Sequence, residues 1–141
     1  MTQEEKDLLL RDLCGRLPYG VKLLDVSYKK YGPLDLLNVG SDGSLLVDAK
    51  NEDIQYYPII ENVKPYLRKM SSMTEEEGKE LEDLFHKIDA PCWVDTEYGY
   101  VNFAGGNDFI DTEIAEVYTD WLNKKMFDYR ELIEKNLALE A

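Results

Sequence analysis

The amino-acid sequence predicts an α+β domain, on three observations. Two segments carry helix-start signatures followed by apolar residues at helical spacing, Thr2 to Leu17 and Thr74 to Ile88. Between them lie two short apolar runs joined by a polar Asp-Gly link, the pattern of a β-hairpin. Neither internal repeats nor low-complexity linkers interrupt the chain, so residues 1–141 read as one such domain. The expected architecture is an N-terminal helix, a three-stranded antiparallel sheet, and two or three further amphipathic helices with a short irregular or β segment between them.

The elements follow in order. Thr2 and Glu5 form a capping box, and Leu10, Leu13, Cys14 and Leu17 recur at i, i+3, i+4 and i+7, with Leu9 widening the stripe. On that phase Cys14 reads as a small buried hydrophobe. Pro18 and Gly20 end the helix. Val21 to Tyr28 is rich in apolar and β-branched residues, and Gly32-Pro33 breaks it. Leu34 to Val39 and Leu45 to Ala49 flank Gly40-Ser41-Asp42-Gly43-Ser44 as a hairpin. Tyr56 to Ile60 reads as an edge strand that tolerates its proline.

In the second half, Thr74 with Glu77 makes another capping box, and Glu75 and Glu76 stand at the positive end of the helix dipole. Leu81, Leu84, Phe85 and Ile88 supply the stripe, and Pro91 stops it. Residues 92–110, with Tyr98-Gly99-Tyr100 and Gly105-Gly106-Asn107, read as short strands or an aromatic-lined loop. Ile114, Val117, Tyr118, Trp121 and Leu122 predict a third helix. Asp128 with Glu131 predicts a short last helix bearing Leu132 and Ile133.

Composition bounds the function. An apolar fraction of 44% excludes a disordered chain despite a net charge of −13. No run approaches the roughly 18 apolar residues of a membrane helix, and the first residues lack the basic and apolar regions of a signal peptide. Two cysteines fit a reducing compartment better than a disulfide framework. The expectation is therefore a soluble cytoplasmic protein. The charge is uneven: residues 1–70 hold ten Lys/Arg against eleven Asp/Glu, a net of −1, whereas residues 71–141 hold six against eighteen, a net of −12. Such a field repels nucleic acid and anionic membranes and favours a basic partner. Acidic mimicry of a nucleic-acid backbone, as a decoy for a nucleic-acid-binding protein, is a further reading.

Catalytic constellations are sparse. His86 is the only histidine, so any His-based nucleophilic system must use it, and Cys92 is the nearer cysteine. One histidine and two distant cysteines do not make a zinc site, and neither Asp42-Gly43 nor residues 107–111 has EF-hand spacing. Gly40 to Gly43 lacks the lysine and following helix of a phosphate-binding loop. One pattern remains. Pro33-Leu34-Asp35, followed by Asp48-Ala49-Lys50, resembles the acid, acid–x–lysine hairpin of metal-dependent restriction-type nucleases. That resemblance implies Asp35 and Asp48 as Mg²⁺ ligands and Lys50 as the residue that orients water, with help from Glu4 or Glu5. Without that activity no cofactor is expected.

The ten tyrosines provide the other candidate. Tyr56, Tyr57, Tyr98 and Tyr100 lie near turns and form a candidate contact surface, together with the acidic Glu75 and Glu76. Two longer stretches carry a family likeness. Residues 64–77, with Lys64-Pro65-Tyr66-Leu67-Arg68 and Met70 to Glu77, and residues 120–135, with Asp120-Trp121-Leu122-Asn123-Lys124, Phe127 to Arg130 and Leu132 to Lys135, resemble an uncharacterised family of small proteins from gut-anaerobe bacteria and their phages and prophages. The resemblance implies a mobile-element origin and an α+β fold, and brings no catalytic residues. A non-enzymatic protein-interaction module is the expected function, with the metal-dependent nuclease or phosphodiesterase as its alternative.

Overall fold

A computed structural model describes residues 1–105 and 111–141. Its elements are α1 (Gln3–Arg16), β1 (Lys22–Asp25), β2 (Leu34–Val39), β3 (Leu45–Ala49), β4 (Ile54–Tyr56), β5 (Val63–Leu67), α2 (Glu75–Lys87), β6 (Cys92–Asp95), β7 (Tyr100–Phe103), α3 (Thr112–Lys124) and β8 (Leu139–Glu140). They fall into two compact units, Met1–Leu67 with Arg130–Ala141, and Arg68–Tyr129. Among the described residues no helix is long and apolar enough to cross a membrane.

The first unit corrects the expected sheet. The fold is α+β, but the sheet has six strands in the order β4-β3-β2-β1-β5-β8 and is mixed, because β5 and β8 run parallel. The predicted antiparallel strands β1, β2 and β3 lie within it. The strands that sequence periodicity misses are short or carry breakers. β4 has three residues and β8 two, and β5 contains Pro65. Pro65 is tolerated because β8 pairs only with Tyr66 and Leu67, leaving no ladder bond for its missing N–H to donate on that side. Burial alternates along β3 and β5, so one sheet face is dry and the other half-exposed. The register shifts between Leu36 and Asn38, and Leu37 between them is exposed on the same side as Asp35.

The phase of α1 is also corrected. Its buried positions are Leu9, Asp12, Leu13 and Arg16, and Cys14 is exposed. This set has the same i, i+3, i+4, i+7 spacing as the apolar stripe, rotated by one residue. Two of its members are charged and fully buried. Arg16 Nε and Nη2 donate to the two Asp12 carboxylate oxygens at 2.8 and 3.0 Å, and Arg130 Nη1 donates to Asp12 Oδ1 at 2.8 Å. Each buried ion costs several kcal/mol of hydration, which only such multiple charge-assisted bonds offset.

A further correction concerns the last predicted helix. Residues 128–138 are turns, bends and irregular backbone, with Glu131 and Asn136 in the left-handed region at φ 58° and 60°. Two such residues cannot belong to an α-helix. Leu132 is nevertheless buried. After α1, the described residues contain two α-helices, α2 and α3, not three.

In the second unit α2 packs on β6 and on α3 around Met73, Leu81, Phe85, Cys92, Trp121 and Phe127. Phe85 meets Phe103 and Tyr118 edge-on, with centroids 5.0 and 5.8 Å apart, and Trp121 stacks on Phe127 at 5.6 Å. Thr74 and Glu77 complete the predicted capping box. Glu77 also receives a fork from Arg68, Nη1 to Oε2 at 2.8 Å and Nη2 to Oε1 at 2.7 Å, while the guanidinium lies 4.3 Å from the Phe127 ring centroid. That pairing holds the Glu77 carboxyl at about 2, below its ordinary 4.5.

Two outcomes follow from these charge pairs. Asp12→Ala leaves Arg16 without its carboxylate and is expected to cost about 3–5 kcal/mol in urea unfolding. Asp12→Leu combined with Arg16→Met should recover most of that loss, because Arg130 retains access to solvent; equal losses for the two variants would refute the account. The depressed Glu77 pKa stabilises the fold fully above pH 4.5, and the contribution disappears as pH falls towards 2. After allowance for screening it amounts to about 2 kcal/mol. Unfolding free energies of Glu77→Gln should therefore show a correspondingly shallower dependence between pH 5 and pH 2, in approximate terms, than the parent.

Candidate functional site

The nuclease-like residues lie on the half-exposed face of the six-stranded sheet. Backbone register sets Lys22 opposite Asp35, Asp35 opposite Asp48, and Asp48 opposite Gln55, a polar row across β1 to β4. The sequence-predicted juxtaposition of Asp35 and Asp48 is thus present, on one side of adjacent strands. Lys50 joins them, with its Nζ 2.9 Å from Asp35 Oδ2, and Lys22 Nζ donates to Asp35 Oδ1. The hydrogen bonds from Lys22 and then Lys50 hold the Asp35 carboxyl below the usual range, and the same contact raises Lys50. Both Asp35 oxygens therefore face ammonium groups, where a metal site would need them free. Among the described residues no three or more His, Cys, Asp or Glu side chains are grouped to hold a metal ion. Glu5, the proposed helper, caps α1 by accepting the Thr2 N–H at 2.9 Å.

The nucleophile candidates are not activated. Burial pushes the Cys92 thiol up to about 11, away from the thiolate. His86 is exposed, and its Nδ1 lies 2.7 Å from the Glu82 carbonyl oxygen, so it donates there within its own helix.

The tyrosines separate into structural and surface groups. Tyr56 is half-buried, donates its hydroxyl to Asp25 Oδ2 at 2.9 Å, and packs against Tyr28 and Tyr31. Desolvation, then the Asp25 hydrogen bond and charge, raises its pKa. Its role is to satisfy a buried carboxylate. Tyr57, next in sequence, is 69% exposed. Glu75 and Glu76 are exposed on the first turn of α2, where they complement the helix dipole.

Tyr98 and Tyr100 belong to a better-defined surface. β6 and β7 pair in the register Cys92↔Phe103, Trp93↔Asn102, Val94↔Val101 and Asp95↔Tyr100. Cys92, Val94, Val101 and Phe103 belong to the core of the unit. Strand alternation therefore sends Trp93, Asp95, Tyr100 and Asn102 to the opposite face. Trp93, Tyr98 and Tyr100 are 58%, 64% and 48% exposed, and the two tyrosine rings lie near-parallel with centroids 6.3 Å apart. Trp93 was not among the sequence candidates. Its signal is the alternation Cys92-Trp93-Val94, which turns the two smaller neighbours towards the core and exposes the largest side chain.

The hairpin is held firmly. Asp95 Oδ1 accepts the Glu97 and Tyr98 N–H groups at 3.0 and 3.3 Å, and Gly99 N–H donates to the Asp95 carbonyl at 2.8 Å. The Asp95 charge keeps the Tyr100 phenol above its ordinary range. On the other strand, Glu82 Oε1 accepts the Val94 N–H at 2.8 Å. Gly99 adopts φ 74°, and a Cβ there would sit 2.1 Å from the Met70 carbonyl oxygen. Of the 92–110 segment, residues 106–110 lie outside the described residues.

No protein-family model, curated protein or solved structure matches the chain.

Gly99→Ala combines a left-handed backbone with a backbone clash, so we expect a loss of more than about 2 kcal/mol in urea unfolding, with Trp93 emission altered. A variant as stable as the parent would show that the turn is not locked as described.

Proposed function

We propose that this protein is a protein-interaction module rather than an enzyme, working in the cytoplasm and of phage or mobile-element origin, with the β6–β7 face as its contact surface. The observation that carries this reading is the exposure of Trp93, Tyr98 and Tyr100 on one short hairpin backed by a packed core. Aromatic side chains bring large contact area with few rotors to freeze, and Trp and Tyr dominate binding hot spots. Exposed aromatics on a rigid turn fit recognition better than packing, since packing would have turned them inward. The origin in mobile elements rests on the likeness of residues 64–77 and 120–135 alone. The alternative, a metal-dependent nuclease at Asp35, Asp48 and Lys50, has the register in its favour and the two lysines on Asp35 against it.

The test is a comparative affinity purification from cells that naturally make the protein. The triple variant Trp93→Ala, Tyr98→Ala, Tyr100→Ala should lose a partner that the parent and a Tyr57→Ala control both retain, with urea unfolding confirming that it still folds. If parent and triple variant retain the same partners, the hairpin face is not the contact surface.

A further inference from the structure

We infer that the occupant of the hairpin face is an arginine-bearing segment of another protein, an inference that rests on the interaction reading above. Its first support is charge. From Ile88 to Asn123 the sequence holds eight Asp/Glu and no Lys, Arg or His in 36 residues. The aromatic hairpin lies inside that stretch, and its turn carries Asp95 and Glu97. Exposed aromatic faces of this kind serve two charged ligands: bases of single-stranded nucleic acid, which bring phosphates, and cationic side chains. The carboxylates Asp95 and Glu97 on the hairpin turn disfavour the first and attract the second.

The choice of arginine over lysine follows from shape. A guanidinium is planar, lies flat on an aromatic ring and presents a fork of N–H groups to a carboxylate, whereas an ammonium is a strongly hydrated point charge. The same chain already uses this arrangement internally. The Arg68 guanidinium lies 4.3 Å from the Phe127 ring centroid while forking onto Glu77. The hairpin offers the same two partners, aromatic rings and a carboxylate, with their arginine to be supplied from outside. Trp93 and the near-parallel Tyr98 and Tyr100 rings provide the surface, and Glu97 at the turn is exposed to receive the fork.

The probe is a labelled peptide of alternating Gly and Arg, compared with equal peptides in which lysine or uncharged citrulline replaces arginine. Each is titrated into ¹⁵N-labelled full-length protein, with the indole N–H of Trp93 and the amides of β6 and β7 as reporters. We expect the arginine peptide to shift these signals, the lysine peptide to bind more weakly, and the citrulline peptide to leave them unmoved. Trp93→Ala should weaken arginine-peptide binding by about five-fold or more, and Glu97→Gln by a few-fold. The inference is overturned by equal binding of arginine and citrulline peptides, or by shifts spread over the acidic surface that Trp93→Ala does not change. It is also overturned if single-stranded DNA moves the Trp93 signal at the same concentration, or if these signals move with protein concentration alone, which would make a second copy the occupant. If the peptides fail while the triple variant still loses its cellular partner, the arginine inference falls and the interaction reading stands. If the triple variant keeps its partner, both fall.

Discussion

The closure of the first unit depends on one buried carboxylate. Asp12 lies on the dry side of α1 with no exposed surface, a position that carries several kcal/mol of lost hydration unless cations surround it. One of its guanidiniums comes from the next turn of the same helix and the other from 118 residues further along the chain. The second bond is what ties sequence-distant parts together. By fixing Arg130, Asp12 anchors the start of the segment that goes on to bury Leu132 and Leu137 and to add β8 beside β5. Residues Arg68–Tyr129 then amount to an insertion whose two ends must leave and return close together. Within that unit they do: Arg68 N–H donates to the Met126 carbonyl at 2.8 Å, and Asp128 N–H to the Arg68 carbonyl at 2.7 Å.

This arrangement gives residues 64–77 and 120–135 a physical role. Residues 64–77 and 120–135 contain Arg68, Glu77, Trp121, Phe127, Tyr129 and Arg130. Arg68 forks onto Glu77 and covers Phe127, Phe127 stacks on Trp121, Tyr129 donates its hydroxyl to Asn123 at 2.8 Å, and Arg130 holds Asp12. These residues pin the fold, each within its own unit. None lies on the aromatic face of the hairpin.

What sequence reasoning reached, and what escaped it, divides along the range of the forces involved. Both capping boxes form as read, because each is a contact over three residues and needs nothing from the rest of the chain. The β2–β3 hairpin likewise forms around Gly43. The phase of α1 does not follow from the apolar pattern, since Asp12 and Arg16 are buried only because they neutralise each other and meet Arg130. β4, β5 and β8 escape because two to five residues, one a proline, give too little periodicity and depend on neighbours for pairing. At the candidate sites the same division holds. The facing of Asp35 and Asp48 is legible from the hairpin, while Lys22, which arrives from the adjacent strand, is not. Tyr56 and Tyr98 are both tyrosines near turns, and only the buried Asp25 beneath the first distinguishes a structural residue from a surface one.

The aromatic face and the acidic composition are best understood together. A rigid hairpin that exposes a tryptophan and two tyrosines is an association hazard, and proteins usually blunt such surfaces with interspersed charge. Here that charge is of one sign throughout Ile88 to Asn123. Like-charged copies repel one another at the approach. The same field lowers the barrier for a cationic partner and raises it for a phosphate backbone. A mixed-sign surface would give neither this repulsion nor that selectivity. The net charge of −13 therefore matters less as a total than through where it falls along the chain, since residues 71–141 carry −12 of it and residues 88–123 hold no Lys, Arg or His.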